Sequence, residues 1–155
     1  MTVGEAGQRS AALDRPGGDT LAAAPEQTRT TTGDRVADGP FTTRQLLRLE
    51  EALRIADRET GLTFSVYVGE LEVPTRASAE KLHKQIENAD RAVLVAVSPN
   101  QRRLEIVTGN VARKRIADRD AKLAGLSMAA AFAGGDLAGG VLAGIDQLAS
   151  HAGRS

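Results

Sequence analysis

Side chains begin to follow a regular pattern at Phe41. Leu46, Leu49, Leu53 and Ala56 recur at helical spacing while Arg48, Glu51, Arg54 and Arg58 fall on other faces, so the spacing predicts an amphipathic helix over 43–60. Ahead of it, Thr42 and Gln45 stand three residues apart as a capping box, the hydroxyl serving orphan amides and the Gln side chain reaching back. Gly61 is its natural stop. Over 62–68 the period changes to two: Leu62, Phe64, Val66 and Val68 alternate with Thr63, Ser65 and Tyr67, the pattern of a strand, and Gly69 ends it.

Pro74 breaks the chain before a second helix over 76–88, whose buried stripe is Ala79, Leu82 and Ile86. The run 92–97 is apolar at every position and suits a central strand covered on both faces. Ser98-Pro99-Asn100-Gln101 is turn chemistry, after which Leu104, Ile106 and Thr108 alternate with Glu105 and Val107 over 103–108. The short turn makes these two strands an antiparallel hairpin, while the intervening helix permits a parallel crossover from 62–68. Helices follow over 110–116, 119–133 and 137–152, with Asp118 and Asp136 as N-caps and Gly134-Gly135 separating the last two. The fold class is α/β: a small α/β/α sandwich with a mixed sheet of about three to four strands and a helical C-terminal half.

Composition sharpens this outline. The chain of 155 residues has room for one ordinary domain. Residues 1–40 carry almost no large apolar side chains and cannot offset chain entropy by burial, so they are expected to form a disordered arm ahead of a domain over 41–152 and a tail over 153–155. Basic and acidic residues balance at 20 each, which excludes a globally basic nucleic-acid binder. The absence of cysteine removes disulfides, thiolate metal sites and cysteine nucleophiles. With three Phe, one Tyr and no Trp, the stacking platforms of single-strand nucleic-acid binders are missing too. The amino terminus lacks the parts of a secretory signal and no apolar run approaches the ~20 residues of a membrane span, so the expectation is a cytoplasmic protein without an integral membrane segment.

Candidate chemistry is sparse. Gly134-Gly135-Asp136-Leu137-Ala138-Gly139-Gly140 is glycine-rich, but no Lys-Ser or Lys-Thr follows and no strand precedes it, so it is not a phosphate loop; Gly140 and Gly144 are read as close helix packing. Asp118-Arg119-Asp120 has the spacing of a phosphatase carboxylate pair, yet it opens a helix, where acidic residues are also favoured by the dipole. If the ends of the last two helices meet, Asp118, Asp120 and Asp136 converge as hard oxygen ligands for calcium or magnesium. Between 102 and 122 lie Arg102, Arg103, Arg113, Lys114, Arg115, Arg119 and Lys122 against three acids, a local net charge of +4. Arg103, Arg113, Arg115 and Arg119 are the candidates to receive a phosphate group or an acidic partner, with a solvated basic face as the other reading. His83 and His151 belong to no zinc pattern, and Ser127 lacks the second glycine of a nucleophile elbow.

The 62–68 strand, the 92–97 strand, the segment RRLEIVTG over 102–109 and the closing Phe132-Ala133-Gly134-Gly135-Asp136-Leu137-Ala138-Gly139-Gly140 together resemble the TPM domain, in a divergent actinobacterial-type branch, over about 41–152. The resemblance implies an α/β/α sandwich with a mixed sheet, in a family linked to the upkeep or assembly of membrane protein complexes. It further implies the acid phosphatase activity proposed for some plant members and the calcium binding of others through acidic loop residues. Asp136, Gly139 and Gly140 match its motif positions. The chain departs from the family pattern in having no signal or anchor, a short link after the first strand, and no aromatic-rich segment there. The reading that results is an accessory or protein-interaction module without enzymatic activity, serving an unidentified protein partner and binding a divalent cation. A weak metal-dependent acid phosphatase is the alternative.

Overall fold

The computed structural model describes residues 40–154, so the arm expected over 1–40 lies outside the described residues except for Pro40. Helix α1 (Thr43–Thr60) starts and stops where its sequence signals stand. Gln45 N donates to Thr42 Oγ1 at 3.1 Å and Thr42 N donates to Gln45 Oε1 at 2.8 Å, completing the capping box. Gly61, at φ 78, closes the helix through its N–H to the Asp57 carbonyl. Then follow β1 (Thr63–Val68), α2 (Thr75–Lys84), a 3-10 turn (Ala89–Arg91), β2 (Ala92–Ser98) and β3 (Arg103–Thr108). The chain finishes with α3 (Asn110–Arg115), α4 (Asp118–Ala133) and α5 (Leu137–Ala152).

The described sheet has three strands in the order β1-β2-β3. β1 and β2 are parallel, Thr63 opposite Ala92 and Val68 opposite Val97, whereas β2 and β3 are antiparallel, Val93 opposite Thr108 and Ser98 opposite Arg103. Every residue of β2 is buried, as its unbroken apolar run requires of a strand covered above and below. On one face Phe64, Val66, Val93, Val95 and Val97 meet Leu49 and Leu53 of α1, Met128 of α4 and Ile145 and Leu148 of α5. On the other, Tyr67, Leu94, Ala96 and Val107 pack with Ala79 of α2. The result is the expected α/β/α sandwich, its thinner layer a single helix.

Three details differ from the sequence expectation. Helix α2 ends at Lys84 rather than 88, and Asn88 takes the left-handed conformation at φ 60 to turn the chain into β2. His83, absent from the expected stripe, is buried beneath α2, where its Nε2 donates to the Ala92 carbonyl at 3.0 Å. Asp118 is not an N-cap: that position is Ala117, and Asp118 lies inside the first turn of α4. Asp136 does cap α5, accepting from Gly139 N at 2.9 Å.

Glycines permit two close approaches. A Cβ on Gly144 would lie 2.3 Å from Met128 Sδ, and one on Gly140 would lie 2.8 Å from Phe132, so both let α5 press against α4. At Gly109 a Cβ would stand 2.0 Å from the Ala89 carbonyl oxygen, a backbone atom with nowhere to go. No helix among the described residues is long and apolar enough to cross a membrane.

Candidate functional site

The third strand forms an open edge of the described sheet. Gly109 N donates to the Ala92 carbonyl, which sets the phase of the antiparallel ladder: Val107, Glu105 and Arg103 turn their backbone groups to β2, while Leu104, Ile106 and Thr108 turn theirs outward. Two outward carbonyls are taken by arginines. Arg76 Nη1 donates to Ile106 O at 2.7 Å, and Arg113 Nη2 donates to Thr108 O at 3.1 Å.

This edge is the floor of an open trough of about 580 Å³, walled by Arg76 of α2 on one side and by Asp118, Lys122 and Leu126 of α4 on the other. At Gly125 the α4 wall rests on the strand at ordinary packing distance, where a Cβ would stand 3.5 Å from Ile106 Cδ1. Arg76, Arg102, Arg103, Arg113 and Lys122 face Glu105 and Asp118 across the trough, leaving an excess of positive charge. Glu105 is already engaged, accepting from Thr75 Oγ1 at 2.8 Å and standing 3.8 Å from Arg76 Nη1. Asp118 sits at the amino end of α4, where the helix dipole offsets its charge. The trough therefore presents planar guanidinium forks to an incoming carboxylate or phosphate.

Beyond Arg103 the trough opens into a second hollow of about 410 Å³, between the β2–β3 turn and the α4–α5 turn. Its lining is mainly apolar, with Val97, Pro99, Leu104, Phe132 and Leu137, and it shares Arg102, Arg103, Leu104 and Ala129 with the trough. Arg102 stands at the junction with φ 55, a left-handed residue in the turn that leads into β3.

The four candidate anion-binding arginines separate. Arg103 and Arg113 line the trough. Arg115 is committed elsewhere, its Nε donating to Ala152 O at 3.1 Å and its Nη2 to Gly153 O at 2.9 Å, where it closes the carboxyl end of α5. Arg119 is 84% exposed and outside the trough, its Nε 3.9 Å from Asp120 Oδ1. Arg76, which sequence reasoning passed over, completes the site from thirty residues before Ile106.

The three aspartates do not come together. Asp118 lines the trough; Asp120 turns toward α5, its Oδ2 3.7 Å from His151 Nδ1; Asp136 caps α5. Helix α4 runs antiparallel to α5, and Asp136 N donates to Ala131 O, so Asp136 sits at the far end of α4, about 20 Å from Asp118 at 1.5 Å per residue. Among the described residues no group of three His, Cys, Asp or Glu is placed to hold a metal ion. The expected three-carboxylate centre is thus corrected: the helical hairpin joins the end of α4 to the start of α5, not the two acidic starts to each other. Neither histidine lines the trough.

A family model described as "Domain of unknown function (DUF5130)" matches residues 19–149. The chain belongs to the DUF5130 family. Two Mycobacterium tuberculosis proteins, uncharacterized protein MT2543 of strain CDC 1551 / Oshkosh and uncharacterized protein Rv2468c of strain ATCC 25618 / H37Rv, are each 35% identical to this DUF5130 chain over 111 residues. Those alignments cover 72% of this chain and 66% of each relative, just under two thirds of their length. In fold, the DUF5130 domain is similar to the N-terminal domain of a P. gingivalis protein solved by NMR, with TM-score 0.64 at 21% identity over 73% of this chain and 76% of that one. It is also similar to the NMR structure of BA42 from the psychrophilic bacterium Bizionia argentinensis, with TM-score 0.62 at 18% identity over 74% and 82% of the two chains.

Proposed function

We propose that this DUF5130 domain is a non-enzymatic interaction module that receives an acidic partner protein in the trough along β3. The observation that carries the reading is the placement of Arg76, Arg102, Arg103, Arg113 and Lys122 around an open strand edge lined, among the described residues, by two carboxylates, one of them already hydrogen-bonded. Cations lining a concave, partly desolvated surface attract an anionic partner and fix its register. Both described histidines lie outside the trough, and Glu105, one of the carboxylates that line it, is engaged by Thr75 and Arg76, which favours binding over hydrolysis. The TPM-like segments 102–109 and 132–140 fit this reading, since that resemblance implies service to protein complexes.

Titrating the full chain with a glutamate oligomer while following backbone amide resonances tests it. Shifts should concentrate on β3 and the first two turns of α4, fade in high salt as surface attraction is screened, and vanish in the Arg76→Glu/Arg103→Glu double variant. Binding that the double variant leaves intact contradicts the proposal.

A further inference from the structure

Resting on that reading, we propose that the trough takes an extended acidic peptide as a strand added to the open edge of β3, with one bulky apolar side chain of the peptide seated in the hollow beneath the α4–α5 turn. The outward N–H groups of Leu104 and Ile106 are two residues apart, about 6.8 Å in an antiparallel strand, the repeat at which an extended partner presents its own carbonyls. An acyl chain or a sugar-phosphate backbone has no such matching row.

The arginines decide which strands enter. Arg76 and Arg113 hold the carbonyls of Ile106 and Thr108, so a neutral strand must displace both guanidiniums from those carbonyls and offers them no charge in return. An acidic strand offers each a carboxylate, a charge-assisted bond stronger than the one to a carbonyl, and so releases the carbonyls to pair with peptide N–H groups. The same two side chains therefore block indiscriminate edge pairing and select for acidity. The hollow beside Leu104 and Phe132, at about 410 Å³, has room for a Phe or Leu side chain projecting from the end of the added strand.

The test uses the full chain and a labelled octapeptide of alternating Glu and Val ending in Phe, read by fluorescence anisotropy. Two twins carry backbone N-methyl groups on the even or the odd residues, leaving charge and side chains unchanged. Because a strand directs alternate N–H groups to opposite edges, one pattern should bind like the parent and the other about tenfold more weakly. A Lys-for-Glu twin should not bind. Ala129→Phe, at an exposed helix position that borders the hollow, should erase the advantage of a terminal Phe over a terminal Ala.

Equal binding of both methylated twins overturns strand addition while leaving the acidic-partner reading standing. Failure of every acidic peptide, the glutamate oligomer included, overturns both. Vesicles of anionic phospholipid that displace the peptide at lower concentration than unlabelled peptide does would instead assign the trough to a membrane surface, and the proposal falls.

Discussion

Arg76 Nη1 donates to the carbonyl oxygen of Ile106 at 2.7 Å, joining the first turn of α2 to the open edge of β3. Its side chain is 52% exposed and pairs with Glu80, 51% exposed, so that ion pair contributes about 0–1 kcal/mol to stability, while Glu105, 18% exposed, stands farther off at 3.8 Å. What the contact does is occupy an edge that would otherwise be free to pair.

Removing that guard should therefore alter association more than folding. The Arg76→Ala/Arg113→Ala variant is expected to unfold within about 1 kcal/mol of the parent but to self-associate through β3, visible as a concentration-dependent sedimentation coefficient that the parent lacks. A variant that stays as dispersed as the parent argues against an edge held closed by arginine.

The four candidate arginines should part company in the same way they part in space. Arg103→Ala and Arg113→Ala should each weaken acidic-peptide binding about three- to tenfold. Arg115→Ala should leave binding alone and lower stability by about 1 kcal/mol, because it uncovers the carbonyls of Ala152 and Gly153. Arg119→Ala, at a largely exposed position, should change either property by less than about 0.5 kcal/mol. Paired denaturation and anisotropy measurements on the four variants check the ordering.

Gly109→Ala should be among the most damaging single substitutions. The new methyl would meet the Ala89 and Asp90 carbonyls at 2.0 and 2.5 Å, and backbone cannot yield as a side chain can. A loss of about 3 kcal/mol or more is expected, at or beyond the upper end of ordinary overpacking. Gly144→Ala presses on the flexible Met128 side chain instead and should cost about 1–3 kcal/mol. Urea unfolding of both variants measures the difference, and equal effects would contradict this account of the two glycines.

Asp136→Ala should remove the cap of α5 and lower stability by about 1 kcal/mol. The decrement should be the same in millimolar calcium as in chelator. If thermal melts instead show a calcium-dependent stabilisation of the parent that the variant loses, the capping role is incomplete and Asp136 binds the ion.

Most of the fold was legible because its signals are local. Thr42 and Gln45 announce the start of α1 within four residues, and the unbroken run over 92–97 declares a strand covered on both faces. The turn at 98–101 then requires β3 to be antiparallel. Spacing also marked Gly140 and Gly144 as packing positions. His83 was missed because its partner, Ala92 O, belongs to a strand nine residues on and carries no pattern of its own.

The site was only half legible for a related reason. The basic stretch 102–122 was visible as charge, but charge along a line does not say which side chains share a trough and which, like Arg115, are spent closing a helix end. Arg76 lies outside that stretch and enters only through the packing of α2 on the sheet. The aspartates misled because two acidic helix starts look alike in sequence; the antiparallel hairpin of α4 and α5 puts them at opposite ends.

If the edge of β3 receives the partner, amide hydrogen exchange of the full chain with and without the Glu/Val octapeptide reads that edge directly. Binding should slow exchange at Leu104 and Ile106, whose N–H groups face the trough, while Val107 and Glu105, already paired with β2, change little. Bound peptide that leaves Leu104 and Ile106 exchanging at their free rates would contradict it.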